Sequence, residues 1–274
     1  MSPAACPDRD ELERCLSAPA VLVTLAATRG STPREAGAWM ALFHDHDRLL
    51  GSIGGGQLEF QALAAARELL AAGPDHPLNG QTRRQALGPA LGQCCGGTVE
   101  LRFDFLRSPA DLRRLQWTEP ARAPVAIFGA GHVGQALVRA LGSLPFALHW
   151  IDSRDDVFPA DLPAVRTEHS DPVARAVAGL APASRVLVMS HSHAEDFELV
   201  AACLRRQREA GDLAFIGLIG SRSKWAGFRN RLRERGFGES ELEQVRCPVG
   251  LPGITGKQPA VIAASIAAQL LLDF

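Results

Sequence analysis

Apolar residues in this chain fall into short blocks cut by Gly, Pro and Asp, and their spacing changes from block to block. Residues 8–16 predict a short helix. The run VLVTLAAT at 21–28 has the length and β-branching of a buried strand, and AWMALF reads as another. After Gly54-Gly55-Gly56 the apolar positions Leu58, Ala62, Ala65, Ala66 and Leu69 recur at helical spacing, which predicts a helix over 57–72. TRRQALG and TVELRFDFL then predict two strands on either side of LGQCCGG. A charged, proline-bounded stretch with Pro120 and Pro124 follows and marks a boundary near residue 120.

Beyond it, strand-like and helix-like blocks alternate: VAIF at 125–128, a helix to about 144, ALHWI, a helix near 172–180, RVLVM at 185–189, a helix to about 209, and LAFIGLIG. Strands alternating with helices predict a parallel sheet covered on both faces. Gly129, Gly131 and Gly134 form G-x-G-x-x-G at the first strand–helix turn, and Asp152 ends the second strand 23 positions after Gly129. Glycines there permit the turn, the approach of a pyrophosphate and helix–strand contact, while the acid stands where a ribose hydroxyl would be held. The predicted fold class is α/β. It combines a small N-terminal α/β domain, 1–118, with a C-terminal Rossmann-like doubly wound parallel sheet, 119–274. A nucleotide in the second is a separate expectation, because a fold does not specify its ligand.

Composition changes this picture little. Of 274 residues, 46% are hydrophobic and 22% charged, which is globular and argues against disorder. The net charge of −1 supplies no basic field for nucleic acid or an anionic membrane. The N-terminal stretch lacks the basic start and apolar run of a signal peptide. AVIAASIAAQLLL, near the C-terminus, is too short and alanine-rich to span a bilayer. Six scattered cysteines without CxxC spacing fit a reducing compartment, so a cytoplasmic location is expected.

Candidate chemistry concentrates in a few places. Cys94 and Cys95 are adjacent and glycine-flanked, a poor geometry for one structural disulfide. Such a loop either exposes a thiolate to a soft metal, a sulfur donor or an electrophile, or holds two small half-buried thiols in a turn. Gly54, Gly55 and Gly56, opening a helix, form either an anion cradle or a tight packed turn, with Glu59 favourable to the helix dipole. His191, His193 and Asp196 follow the strand at 185–189. If that strand persists, both histidines share one side, as metal ligands or as hydrogen-bonding groups around a ligand or helix cap. Ser221, Arg222 and Lys224 stand at a strand end and helix start suited to a phosphate, though Lys224 also reads as an exposed charge. GLPGITGKQ is not a P-loop: Leu251 replaces its first glycine and Gln258 its Ser/Thr, which excludes an NTPase of that type.

Taken in order, TRGSTPREAG, GSIGGGQLE, LGQCCGG, FGAGHVGQAL, IDSR, SHSHAEDF, FIGLIGSRSK and GLPGITGKQPAVIAAS resemble the XdhC/CoxI family of accessory proteins over nearly the whole chain. The resemblance implies a non-catalytic chaperone for the molybdenum cofactor, molybdopterin-bound molybdenum carrying a pterin phosphate. Such a protein protects the cofactor, promotes its sulfuration with sulfur from a cysteine desulfurase, and delivers it to the molybdenum-binding subunit of apo-xanthine dehydrogenase. It also implies a homodimer. Gln57 stands where many relatives carry a cysteine, so thiol chemistry concentrates on Cys94 and Cys95 as contacts for molybdenum. Gly54 to Gly56, Gly129, Gly131, Gly134, Asp152, Arg222 and Lys224 are then the other candidate contacts. Two rival classes are an NAD(P)-dependent oxidoreductase, favoured by the glycine fingerprint, and a metal- or nucleotide-sensing module built on His191 and His193. The chain contains no tyrosine, which excludes tyrosine-based reductase chemistry.

Overall fold

The computed structural model describes residues 9–45, 48–88, 96–115, 121–160 and 165–272. The chain divides into two compact units, Pro7–Pro120 and Ala121–Phe274.

In the first unit, α1 (Arg9–Cys15) leads into β1 (Ala20–Arg29), β2 (Trp39–Phe43) and β3 (Leu49–Gly51). The long helix α2 (Gly56–Ala72) follows, then β4 (Gln81–Ala86), β5 (Thr98–Leu106) and α3 (Pro109–Arg114). The strands form one sheet in the order β3-β2-β1-β5-β4, antiparallel at every pairing. The unbroken hydrophobicity of β1 has a simple cause: both of its faces are covered. Val21, Val23 and Leu25 pack with Leu58, Ala62, Ala66 and Leu69 of α2, whereas Ala20 and Leu22 pack with Leu12 and Leu112 of α1 and α3. Edge strand β4, QTRRQA, keeps its charges because it is almost entirely exposed.

The second unit alternates strand and helix. Its elements are β6 (Ala123–Phe128), α4 (His132–Leu141), β7 (Phe146–Asp152), β8 (Arg166–His169), a 3-10 helix (Val173–Gly179), β9 (Arg185–Val188) and α5 (His193–Ala210). After these come β10 (Phe215–Leu218), α6 (Arg222–Glu234), α7 (Glu239–Leu242), β11 (Val245–Arg246) and α8 (Pro259–Leu272). All six strands are parallel, in the order β11-β10-β9-β6-β7-β8. That is the doubly wound arrangement, with its order reversing between β6 and β9. Apolar layers cover both faces, one with α5 and α6, the other with α4 and α8. No described helix is long and apolar enough to cross a membrane.

Three local expectations change. The helix expected near 172–180 is 3-10. Short, mostly exposed β8, RTEH, had no hydrophobic signal and forms by pairing with β7. The strand expected over 185–189 stops at Val188, so the two histidines beyond it do not alternate on a strand.

Candidate functional site

In the first unit, three loops meet at one end of the sheet. The turn after β1 carries RGSTPREAG, the turn after β3 carries GSIGGG, and the β4–β5 hairpin loop contains Cys94 and Cys95. Both cysteines lie outside the described residues, and the base of their hairpin is set by two backbone hydrogen bonds. The Leu87 N–H donates to the Gly97 carbonyl at 2.8 Å, and the Gly97 N–H donates to the Ser31 carbonyl at 3.1 Å. Gly97 is required there, because a Cβ would stand 2.4 Å from Ser31 O and 2.6 Å from Arg29 O. On the other side of the same turn, Pro33 lies against Gly54, whose φ of 117° and lack of a Cβ admit the ring. The RGSTP turn is therefore a wedge between the cysteine hairpin and the triple glycine.

The triple glycine does form an anion nest, with φ of 117°, 74° and 64° at Gly54, Gly55 and Gly56. Its anion is internal. Glu59 Oε2 accepts from the Ser52 hydroxyl at 2.6 Å, the Ile53 N–H at 3.0 Å and the Gly55 N–H at 3.2 Å. Gly54 N–H donates to Ser52 Oγ. Gly54 and Gly55 thus spend their donors on the chain itself, and what the sequence offered as favourable helix-dipole charge is the group that fills the nest.

In the second unit, the glycine turn behaves as its spacing predicts. Gly129 has φ 127°, and a Cβ would stand 2.1 Å from Met189 O; a Cβ on Gly134 would stand 2.0 Å from Gly129 O. Gly131 faces open space. Asp152, 2% exposed, ends β7 with its carboxylate fully engaged. Oδ2 accepts the Ala130 N–H at 2.6 Å and Arg154 Nη2 at 2.9 Å. Oδ1 accepts the Arg154 N–H and Nε, each at 2.9 Å. A carboxylate offers about four acceptor directions, so Arg154 occupies the position a ribose would need. Burial works to raise the Asp152 pKa, but the Arg154 hydrogen bonds, the two backbone N–H groups and the guanidinium charge outweigh it and hold the group below its ordinary 3.8.

At the neighbouring strand ends, Ser192 caps α5 by accepting from the Ala194 N–H, placing His193 in the first helical turn. His191 Nδ1 lies 3.3 Å from Glu195 Oε2, and the Ser153 hydroxyl donates to Glu195 Oε1 at 2.6 Å. Asp196 turns inward, accepting the Ser190 N–H at 2.8 Å and Lys224 Nζ at 2.6 Å. His191, His193 and Asp196 therefore do not converge, and among the described residues no group of three His, Cys, Asp or Glu side chains is placed to hold a metal ion. Lys224 is neither exposed nor available: it is also bonded to the Ile219 carbonyl and lies over the Phe228 ring. Arg222, two positions earlier, is exposed.

Sequence reasoning missed Glu195 and Arg154. The first was signalled by Ser192-x-x-Glu195, a helix-start pattern. The described cysteines, Cys15, Cys203 and Cys247, are free. Burial pushes the Cys203 thiol up to about 12 and the Cys247 thiol up to about 11, the latter despite the nearby Lys224 charge. These two remain protonated and poorly nucleophilic.

A Rossmann-type sheet following a small antiparallel α/β unit, with glycine turns at the loop ends of each, defines the class. Residues 125–270 match the profile of the XdhC Rossmann domain, and residues 17–78 that of the XdhC and CoxI family. The chain belongs to the XdhC and CoxI family. It is 27% identical over 265 residues to the molybdenum cofactor insertion chaperone PaoD of Escherichia coli K12, covering 85% of this chain and 76% of PaoD. It is also 25% identical over 257 residues to YqeB of the same organism, an uncharacterized protein, covering 92% of this chain but only 43% of YqeB. A solved Bacillus halodurans structure described as a xanthine dehydrogenase shares the fold, with a TM-score of 0.70 at 21% identity over 96% of this chain and 94% of that one.

Proposed function

We propose that this protein is a molybdenum cofactor chaperone: it binds the cofactor as cargo, protects it, promotes its sulfuration and passes it to an apo-molybdoenzyme of the xanthine dehydrogenase type. Family membership and the likeness to PaoD support this reading. The observation that carries it to particular residues is the anchoring of the cysteine hairpin through Gly97 against the RGSTP turn. Thr98 and Leu87 flank this loop, and Gly97 ties its C-terminal foot to the turn after β1. Molybdenum in a dithiolene is thiophilic, and a thiolate from either cysteine is a suitable ligand for it. The sulfur donor is a cysteine desulfurase, and the protein acts as a homodimer in the cytoplasm. Gly54 and Gly55 spend their N–H groups on Ser52 and Glu59, and Gly129 spends its own on the Ile151 carbonyl, so Gly56 and Gly131 are the glycine-turn positions best suited to cofactor oxygens.

The oxidoreductase alternative is not favoured, because the acid that should hold a ribose is bound by Arg154 on both oxygens. The test is to purify the protein anaerobically from a cofactor-making host and measure the fluorescence of oxidised pterin released from it. Pterin near one equivalent is expected, reduced in Cys94→Ala or Cys95→Ala. An empty wild-type protein overturns the chaperone reading, and full retention with normal activation of the target enzyme by both variants overturns the thiol assignment.

A further inference from the structure

The segment between β11 and α8 is the motif that sequence reasoning rejected as a P-loop and left without a role. Its first residues are pinned. Val249 N–H donates to Leu218 O at 3.1 Å, Gly250 N–H to Gln269 Oε1 at 2.6 Å and Leu251 N–H to Ser265 Oγ at 2.8 Å. Gly250 has φ 109°, and a Cβ there would meet Ser265 Oγ at 2.7 Å, so the backbone presses directly on α8.

Past Leu251 the bonding changes. The N–H groups of Gly253, Ile254, Thr255, Gly256 and Lys257 find no protein acceptor among the described residues, and all five residues are exposed. This loop and Arg222 line a cleft of about 360 Å³. The Arg222 guanidinium makes no hydrogen bond or ion pair among the described residues, unlike Lys224 two positions on. No Asp or Glu lines the cleft, whereas Val249, Leu251, Ile254 and Ile262 do. Ile254 is 47% exposed.

An uncommitted guanidinium lining the same cleft as a loop with unpaired N–H groups, with no carboxylate in that lining, selects an oxyanion. The absence of acidic groups disfavours a divalent cation or its complex with a triphosphate. The volume exceeds that of a bare phosphate and falls in the range of small-ligand sites, and one wall is aliphatic. We propose that this cleft binds a phosphomonoester carried on a compact apolar or planar body, the phosphate on Arg222 and the loop N–H groups and the body against Ile254 and Ile262. The site stands apart from the chaperone reading. Its ligand is either the phosphate arm of a pterin or a separate small phosphorylated molecule.

The test is to titrate the isotope-labelled full-length protein with phenyl phosphate and, separately, with phenol, following backbone amides by NMR. Saturable shifts are expected at Gly253 to Lys257 with phenyl phosphate and none with phenol. Arg222→Ala, at an exposed position, is expected to weaken binding about tenfold, with partial recovery in Arg222→Lys. Unmoved loop amides at millimolar phenyl phosphate, or unchanged affinity in Arg222→Ala, overturns the proposal. Competition then distinguishes the sources. Displacement of phenyl phosphate by metal-free molybdopterin, but not by its phosphatase-treated form, assigns the site to the pterin. Persistent phenyl phosphate binding without displacement assigns it to another phosphomonoester. A protein that retains no pterin on purification but binds phenyl phosphate at this loop refutes the chaperone reading and leaves this one standing.

Discussion

Lys224 and Asp196 form an ion pair at 2.6 Å with side chains 11% and 2% exposed, joining the start of α6 to the first turn of α5. The remaining Asp196 oxygen holds the Ser190 N–H at the end of β9, so one carboxylate ties together two strand–helix turns. Breaking a buried pair from one side leaves an uncompensated charge, typically at a loss of about 3–5 kcal/mol. Lys224→Met is therefore expected to lower the denaturation midpoint of the second unit strongly. Asp196→Asn with Lys224→Met should recover much of that loss. A single Lys224→Met variant as stable as wild type refutes the structural assignment.

The arrangement shows what was legible in the sequence and what was not. The glycine fingerprint and the strand–helix alternation are local signals, and Gly129 and Gly134 make the tight turn and the close helix contact that their spacing implies. From the sequence Lys224 reads as a phosphate contact or an exposed charge, because its partner, Asp196, is 28 positions away and reaches it only through the fold. His191 and His193 read as a strand pair because the strand's end at Val188 depends on Ser192 capping α5. Asp152 was correctly placed at the end of β7, but its neutralisation by Arg154 depends on a side-chain direction that no periodicity encodes.

The Asp152 cluster fixes a pH dependence. Its folded-state pKa lies below the ordinary 3.8, so the folded form binds protons less readily than the unfolded chain. The stability it contributes is complete above the unfolded value and is lost as pH falls through the depressed folded value. Acid unfolding curves should therefore show a steep limb at and below pH 3.8 that flattens in Asp152→Asn. An identical acid limb in the variant contradicts the assignment.

Glu59 stands in for an external anion, so its removal should expose the nest. Glu59→Ala leaves the Ser52 hydroxyl and the Ile53 and Gly55 N–H groups without their acceptor, a loss of about 1–3 kcal/mol where water cannot replace it. Hydrogen exchange at Ile53 and Gly55 is expected to accelerate well beyond that of the α2 interior. Exchange at these two amides as slow as in wild type shows that Glu59 does not organise the turn.

Gly96 and Gly97 provide a paired test of the cysteine hairpin, because they are adjacent and face different surroundings. A Cβ at Gly96 meets nothing within 4 Å, whereas one at Gly97 meets two backbone carbonyls at 2.4 and 2.6 Å that belong to Ser31 and Arg29. Neither obstacle is a flexible side-chain end, so Gly97→Ala must push the hairpin away from the RGSTP turn and break the Gly97–Ser31 hydrogen bond. Gly96→Ala should leave stability within about 0.5 kcal/mol of wild type, as expected of a surface change. Gly97→Ala should lose roughly 1–3 kcal/mol, as overpacking does, with the loss localised by faster amide exchange at the Thr98 end of β5. If the hairpin presents the thiols to the cofactor, pterin retention per folded molecule also falls in Gly97→Ala and holds in Gly96→Ala. Equal retention in both, with the Gly97→Ala hairpin shown to be displaced, separates the fold role of Gly97 from cofactor binding and removes the RGSTP anchor from the proposed site.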